Sequence, residues 1–327
     1  MGRSMRDERR LKVDIARRYY LNGATQTEIA EALGLSRMAV QRILAQCRKE
    51  QIVEITIKDP ICTCLALEDE VRSRFSLVDA IIVSAPVDSS LLQKSIASFA
   101  ARYLTEQVMP GMTIGAAWGR TVFQMMQFLD PCPQPHMYPG LRVVSLMGSL
   151  STSLVTHPYS IVNKIGEVFN AEVYYISAPA VANSPNSRDI FLAERSVQDI
   201  LDLARKADIA VVGIGDVGEH ATLLQTGYLT LQELEELAGR GAVGEILVWH
   251  YDINGSLVES PLSSRIVGLS PVELRQIKKV IGVAGGPEKV KAILGALRGR
   301  YVNVLVTDEK TARDLIDLDA HNGIDTH

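Results

Sequence analysis

Apolar and polar positions along the chain follow two successive rhythms. From Leu11 to Cys47 apolar residues recur every three or four positions, as on helices with one buried face. Arg10 to Asn22 reads as a first helix with Leu11, Ile15 and Tyr19 inward, closed by Asn22-Gly23. Thr25 then opens a second helix, and Glu28 three residues on completes an S/T-x-x-E capping box. Ile29, Ala30 and Leu33 share its inner face. Gly34 follows, where a short turn needs a residue tolerant of positive φ, and Ser36 caps a third helix with Val40, Ile43, Leu44 and Cys47 inward. Gln51 to Lys58 alternates apolar and polar residues, as a half-buried strand does. Three helices and a strand make a winged helix-turn-helix.

Asp59-Pro60 breaks this pattern, and residues 62–75 predict a linker helix with Leu65, Val71 and Phe75 as packing or dimer contacts. From Leu77 short apolar runs alternate with helical segments. Strands are expected at 80–83, 113–117, 141–146, 172–176, 210–214, 245–249, 280–284 and 302–306. Helices are expected at 91–107, 121–129, 160–169, 197–206, 231–237, 287–297 and 309–316. This grammar predicts a mostly parallel sheet with helices on both faces. The expected domains are thus 1–58, a connecting segment 59–76, and an α/β body 77–327.

Charge divides at the same boundary. Residues 1–58 carry 12 Lys/Arg against 7 Asp/Glu, a net of +5, whereas the remainder carries a net of −9. A basic head on an acidic body points to nucleic acid as the partner of the head alone. The third helix fits that partner, because its outer face carries Arg37, Met38, Gln41, Arg42 and Arg48. Arg can chelate guanine and Gln can pair with adenine in the major groove. The expected DNA-facing set is Thr25, Gln26, Ser36, Arg37, Met38, Gln41, Arg42 and Arg48. Within it Arg37, Met38, Gln41 and Arg42 face base edges, while Arg48, with Lys49, faces phosphates.

In parallel sheets ligands bind beyond the carboxyl ends of the strands. Three loops there are small and rich in donors: Trp118-Gly119-Arg120-Thr121, Met147-Gly148-Ser149-Leu150-Ser151 and Gly285-Gly286-Pro287-Glu288-Lys289. Together they suit an anion near helix N-termini. Gly213-Ile214-Gly215-Asp216-Val217-Gly218 matches a dinucleotide fingerprint in letters only. Asp216 would repel a pyrophosphate, so a turn on the ligand rim is the better reading. Glu245 is a candidate for sugar hydroxyls.

Other chemistry finds little support. The six histidines are dispersed, no nucleophile elbow or zinc-protease motif occurs, and four cysteines make no zinc spacing. No catalytic residue, metal or cofactor is expected. Unpaired thiols and a charged N-terminus in place of a signal sequence predict a cytoplasmic protein.

From about Val13 to Ile316 the chain resembles the SorC family of bacterial sugar-operon regulators. The resemblance rests on TQTEIAEALGLSRMAVQRIL (25–44), IGAAWGRT (114–121), YYISAPA (174–180) and GIGDV (213–217). It rests also on GAVGEIL (241–247), SSRIVGL (263–269), IGVAGGPEKVKAI (281–293) and GRYVNVLVTDEKTA (299–312). It implies a body similar to sugar-phosphate isomerases in fold, a phosphorylated sugar or polyol as effector, and dimers or tetramers on palindromic operator DNA. It also implies that the protein is not an enzyme.

Carried over by motif, Gly119, Arg120 and Thr121 form the phosphate-side loop. Glu245 stands at the family's usual Asp, and Lys289 is the lysine of the last glycine loop. The full expected effector set is Gly119, Arg120, Thr121, Gly148, Ser149, Gly215, Asp216, Glu245, Arg265, Gly285, Gly286 and Lys289. His157-Pro158-Tyr159-Ser160 departs from the family's Asn-containing helix start. Two alternatives remain open: a sugar-phosphate isomerase with an added DNA-binding head, and a nucleotide-sensing repressor.

Overall fold

The computed structural model describes residues 5–50, 52–53, 60–84, 89–130, 137–149, 158–219 and 221–322. The chain divides into two units at Asp59/Pro60.

In the first unit the sequence's local signals produce three helices: α1 (Met5–Tyr20), α2 (Gln26–Leu33) and α3 (Arg37–Lys49). Both halves of the capping box form. Glu28 N–H donates to Thr25 Oγ1 at 3.3 Å, and Thr25 N–H donates to Glu28 Oε2 at 2.8 Å. Gly34 takes φ 64°, the left-handed value that lets α2 stop and α3 start within three residues. Ile15, Ile29, Ala30, Val40 and Leu44 form the core, with Leu11, Tyr19 and Ile43 packed on it. A Lys12–Glu50 ion pair at 2.8 Å ties α1 to the end of α3. The strand expected at 51–58 lies largely outside the described residues.

The second unit begins with α4 (Pro60–Arg74), the expected linker helix. It packs on strand β1 (Asp79–Val83) through Cys64, Leu67 and Val71, while Leu65 stays exposed. Then follow α5 (Leu92–Gln107), β2 (Thr113–Ala116), α6 (Arg120–Met125), β3 (Arg142–Ser145), α7 (Pro158–Phe169) and β4 (Glu172–Tyr174). After α8 (Pro185–Ala193) and α9 (Arg195–Arg205) come β5 (Ile209–Gly213), β6 (Gly215–Asp216), α10 (Thr222–Gln225) and α11 (Leu231–Gly239). Next are β7 (Ala242–Ile246), β8 (Trp249–Asp252), β9 (Leu257–Val258), α12 (Pro271–Leu274) and β10 (Lys279–Val283). The described chain closes with α13 (Val290–Arg298), β11 (Val304–Asp308) and α14 (Glu309–Asn322).

Seven strands form a parallel sheet in the order β1-β11-β10-β5-β2-β3-β4. Along β5 the side chains alternate between two cores. Ile209 and Val211 join Ile96, Met125 and Ile161 on the face of α5, α6 and α7. Ala210 and Val212 join Val71, Leu201 and Ile293 on the face of α4, α9 and α13. Burial on both faces explains why these strands read as continuous apolar runs.

One expected strand is corrected. Residues 245–249 do not form a single strand: the chain reverses at Leu247-Val248, and the run is split between β7 and β8. A second, antiparallel sheet results, ordered β6-β7-β8-β9. It stands at the carboxyl end of β5, because β6 begins two residues after β5 ends.

Candidate DNA-reading helix and effector cleft

Ser36 Oγ accepts the Ala39 N–H at 3.1 Å, which fixes where α3 starts and therefore which residues its outer face presents. Val40, Leu44 and Cys47 are buried beneath that face. Arg37, Met38, Gln41, Arg42 and Arg48 are exposed on it. Met38 is 72% exposed, so an apolar side chain sits unburied among cations, where a thymine methyl could meet it. Ala39 and Ala45 join Ser36, Met38, Gln41 and Arg42 in a shallow groove, two small residues that sequence reasoning passed over. Thr25 and Ser36 spend their hydroxyls on helix caps, and Gln26 is half-buried.

In the body a cleft opens beyond β2, β5 and β10. It is lined by Trp118, Gly119, Arg120 and Thr121 after β2, by Gly213, Ile214 and Gly215 at the β5–β6 turn, and by Gly285 and Lys289 after β10. Gln93, Thr222, Glu245 and Leu247 complete the wall. Backbone geometry holds these loops. Gly286 N–H donates to Asp308 Oδ2 at 3.0 Å and to Thr311 Oγ1 at 2.8 Å. The same Asp308, only 1% exposed, also accepts the Thr311 N–H at the start of α14. One carboxylate thus caps a helix and pins the last glycine loop.

Three ionisable side chains meet at this cleft. Lys289 Nζ donates to Asp216 Oδ2, and the two side chains are 12% and 11% exposed. Burial alone would raise the Asp216 carboxyl. The Lys289 ammonium and the Gly218 N–H, which donates to Asp216 Oδ1 at 2.8 Å, outweigh it and hold the group below the usual carboxylate value. Glu245 lacks such a partner. Enclosure by protein pushes its carboxyl up to about 7, the Val248 N–H and Lys289 pull it down, and Asp216 adds a further push. Glu245 in this rotamer uses the space left by Gly215: a Cβ there would lie 2.3 Å from Glu245 Oε1, and the carboxylate would have to move. Glu245 thus sits next to last in β7, not at a strand start.

Of the sequence-expected effector residues, Gly119, Arg120, Thr121, Gly215, Glu245, Gly285 and Lys289 line this one cleft. Asp216 reaches it through Lys289, and Gly286 supports it through Asp308. Gly148, Ser149 and Arg265 lie elsewhere. Gly148 and Ser149 are held by backbone bonds to Val267 and Ala178, and a Cβ at Gly148 would strike the Ala178 carbonyl at 2.4 Å. Arg265 folds back to the Pro261 carbonyl at 3.1 Å. The Gly213–Gly218 fingerprint opens no helix: Gly215-Asp216 pairs antiparallel with Gly244-Glu245, which removes the helix N-terminus a dinucleotide would need. Sequence reasoning missed Gln93, Thr222 and Leu247, which flank the strand ends without any glycine signal. Leu150, Ser151 and His157 lie outside the described residues. Among the described residues no cluster of three metal-ligating side chains occurs, and no helix is long and apolar enough to cross a membrane.

Comparison with known proteins agrees with this division. Residues 59–317 match the sugar-binding domain model Sugar-bind, and residues 14–50 match region 4 of sigma-70. The chain is 32% identical over 314 residues to the deoxyribonucleoside regulator of Bacillus subtilis (strain 168), covering 95% of this chain and 99% of that one. It is 34% identical over 315 residues to the transcriptional regulator LsrR of Enterobacter sp. (strain 638), covering 95% and 94%. The crystal structure of the full-length sorbitol operon regulator SorC from Klebsiella pneumoniae superposes with a TM-score of 0.74 at 30% identity, over 95% of this chain and 99% of that one. These relatives are transcriptional regulators rather than enzymes. A capped basic helix in front of a parallel-sheet body with a sugar-binding domain therefore places the chain in the SorC family of sugar-operon transcriptional regulators.

Proposed function

We propose that the cleft binds a phosphorylated sugar or polyol and that its occupancy sets the affinity of α3 for a palindromic operator. The observation that carries this reading is the meeting of Lys289, Asp216 and Glu245 with the Gly119–Thr121 and Gly285 loops in one cleft. Backbone amides and Arg120 suit a phosphate, and Glu245 suits hydroxyls. The relatives' names span a deoxyribonucleoside and a sugar alcohol, which favours a sugar-like ligand of open identity. A palindrome follows if two subunits pair about a twofold axis, as a dimer or within a tetramer. Operator DNA and phosphorylated metabolites both place this activity in the cytoplasm, with no cofactor beyond the effector.

A coupling of roughly 1–3 kcal/mol would change operator affinity about 5- to 150-fold. Calorimetric titration of glucose 6-phosphate, sorbitol 6-phosphate, erythritol 4-phosphate and deoxyribose 5-phosphate, each beside its unphosphorylated counterpart, tests the site. Footprinting of the upstream region with and without the binder tests the coupling. Equal binding of phosphorylated and plain sugars would remove the phosphate from the reading.

A further inference from the structure

The hairpin that carries Glu245 is built under tension. Leu247 and Val248 form the two-residue connection between β7 and β8 with φ 53° and 72°. Asn-Gly ordinarily fills such a turn, because both central positions need positive φ. A β-branched residue there is an outlier. Both residues are nevertheless buried, at 3% and 0% exposure. Glu245 clasps the turn by accepting the Val248 N–H at 2.9 Å through Oε2, and its Oε1 occupies the space that a side chain at residue 215 would take.

The strand beyond the turn is under-satisfied. Trp249 Nε1 and both ring nitrogens of His250 are buried without a hydrogen-bond partner among the described residues. Trp249 stands directly across from Ile246, and His250 directly across from Glu245. Buried polar atoms are nearly always paired, so these three call for a partner that the described protein groups do not supply. These costs gather in one hairpin whose Glu245 and Leu247 line the cleft.

We propose that this hairpin, Gly244–His250, is the moving part of the effector site. Glu245 exchanges the Val248 N–H for a ligand hydroxyl, and the turn it held relaxes. The inference rests on the effector reading above. Movement has a route onward. On the opposite face of the hairpin the Tyr251 hydroxyl donates to the Ala292 carbonyl at 3.0 Å, and a Cβ at Gly244 would lie 2.7 Å from Ala292 Cβ. Ala292 belongs to α13, which starts immediately after Lys289. The two charged groups that bear on Glu245, Lys289 and Asp216, therefore stand on elements packed to the same hairpin.

Hydrogen exchange on the full chain, read by mass spectrometry with and without each of the four sugar phosphates above, tests the proposal. Exchange at 117–121 and 284–289 should slow when the cleft fills, while exchange at 246–250 should quicken about tenfold as the clasp opens. Slowing at all three segments, or no change at 246–250, would show a rigid wall and overturn the proposal. No slowing at 117–121 and 284–289 with any of the four would overturn the effector reading itself, and the hairpin proposal with it. Val248→Gly removes the strain, since glycine accepts positive φ freely. That variant should keep the slowing at both loops and lose the quickening; quickening that persisted would overturn the role given to the turn.

Discussion

The helix α3 proposed to read DNA and the cleft proposed to hold the effector use charge in opposite surroundings. On α3 the arginines stand in water above a small apolar core, and nothing beneath them depends on their charge. In the cleft Lys289 and Asp216 are nearly nine-tenths buried, and the Lys289 ammonium holds the Asp216 carboxyl below its usual value against the pull of burial. Exposed functional charges can be exchanged without disturbing the fold, whereas buried ones are structural parts. Recognition and stability are therefore separable in the head and joined in the body.

The largest test of that contrast is Lys289→Met. It leaves Asp216 as a buried carboxylate without its cation, and removing one member of such a pair costs about 3–5 kcal/mol. Urea denaturation should show this loss in the body, and adding Asp216→Asn should restore most of it. A Lys289→Met body as stable as the wild type would mean the cleft is as solvated as the head.

The next test uses pH. Burial raises Glu245 to about 7, so the folded body holds this proton more tightly than the unfolded chain does. The resulting stabilisation is complete below the ordinary carboxylate value and is lost as pH rises through 7. A tenfold tighter hold on one proton is worth about 1.4 kcal/mol, so wild-type stability should fall by up to about 3 kcal/mol between pH 5 and 8 relative to Glu245→Gln. Asp216 acts with the opposite sign: its pKa is lowered in the fold, so its contribution is lost only as pH falls toward acid. Parallel pH profiles for wild type and Glu245→Gln would place Glu245 in water.

How much could be read from the sequence follows the same line. The caps of α2 and α3 are made by residues three positions apart, so the starts of these two helices were legible in detail. The parallel sheet was legible because strands covered on both faces must be apolar throughout. The cleft was legible as glycine-bearing loops and as single residues such as Glu245 and Lys289, but not as one assembled wall. The Lys289–Asp216 pair spans 73 residues and leaves no local trace. The hairpin was misread for a physical reason: a buried turn must itself be apolar, so Leu247-Val248 continued the run instead of punctuating it. Asp308 was passed over between the strand expected at 302–306 and the helix expected at 309–316, although Thr311 three positions on is a capping signal.

On the head the expected effects fall on binding. Arg37→Ala should remove a base contact worth ~1–3 kcal/mol on the cognate operator and much less on random duplex. Its unfolding midpoint should match the wild type. Equal losses on both duplexes would move Arg37 from the bases to the phosphates, and a lowered midpoint would make it structural.

Ser36→Ala gives the smallest effect and the finest discrimination. Ser36 Oγ satisfies the Ala39 N–H, one of the amides that α3 cannot satisfy internally, and the loss of such a cap costs about 1 kcal/mol. The cost should fall on the head alone, because the chain divides at Asp59/Pro60 and the body keeps every one of its own contacts. A two-step melt should therefore show an earlier head transition and an unmoved body transition. Below both transitions the folded α3 still presents Arg37, Gln41 and Arg42, so discrimination between cognate and random duplex should persist. If discrimination vanished while the head stayed folded, the Ser36 hydroxyl would itself be a DNA contact, and the cap would be its secondary role.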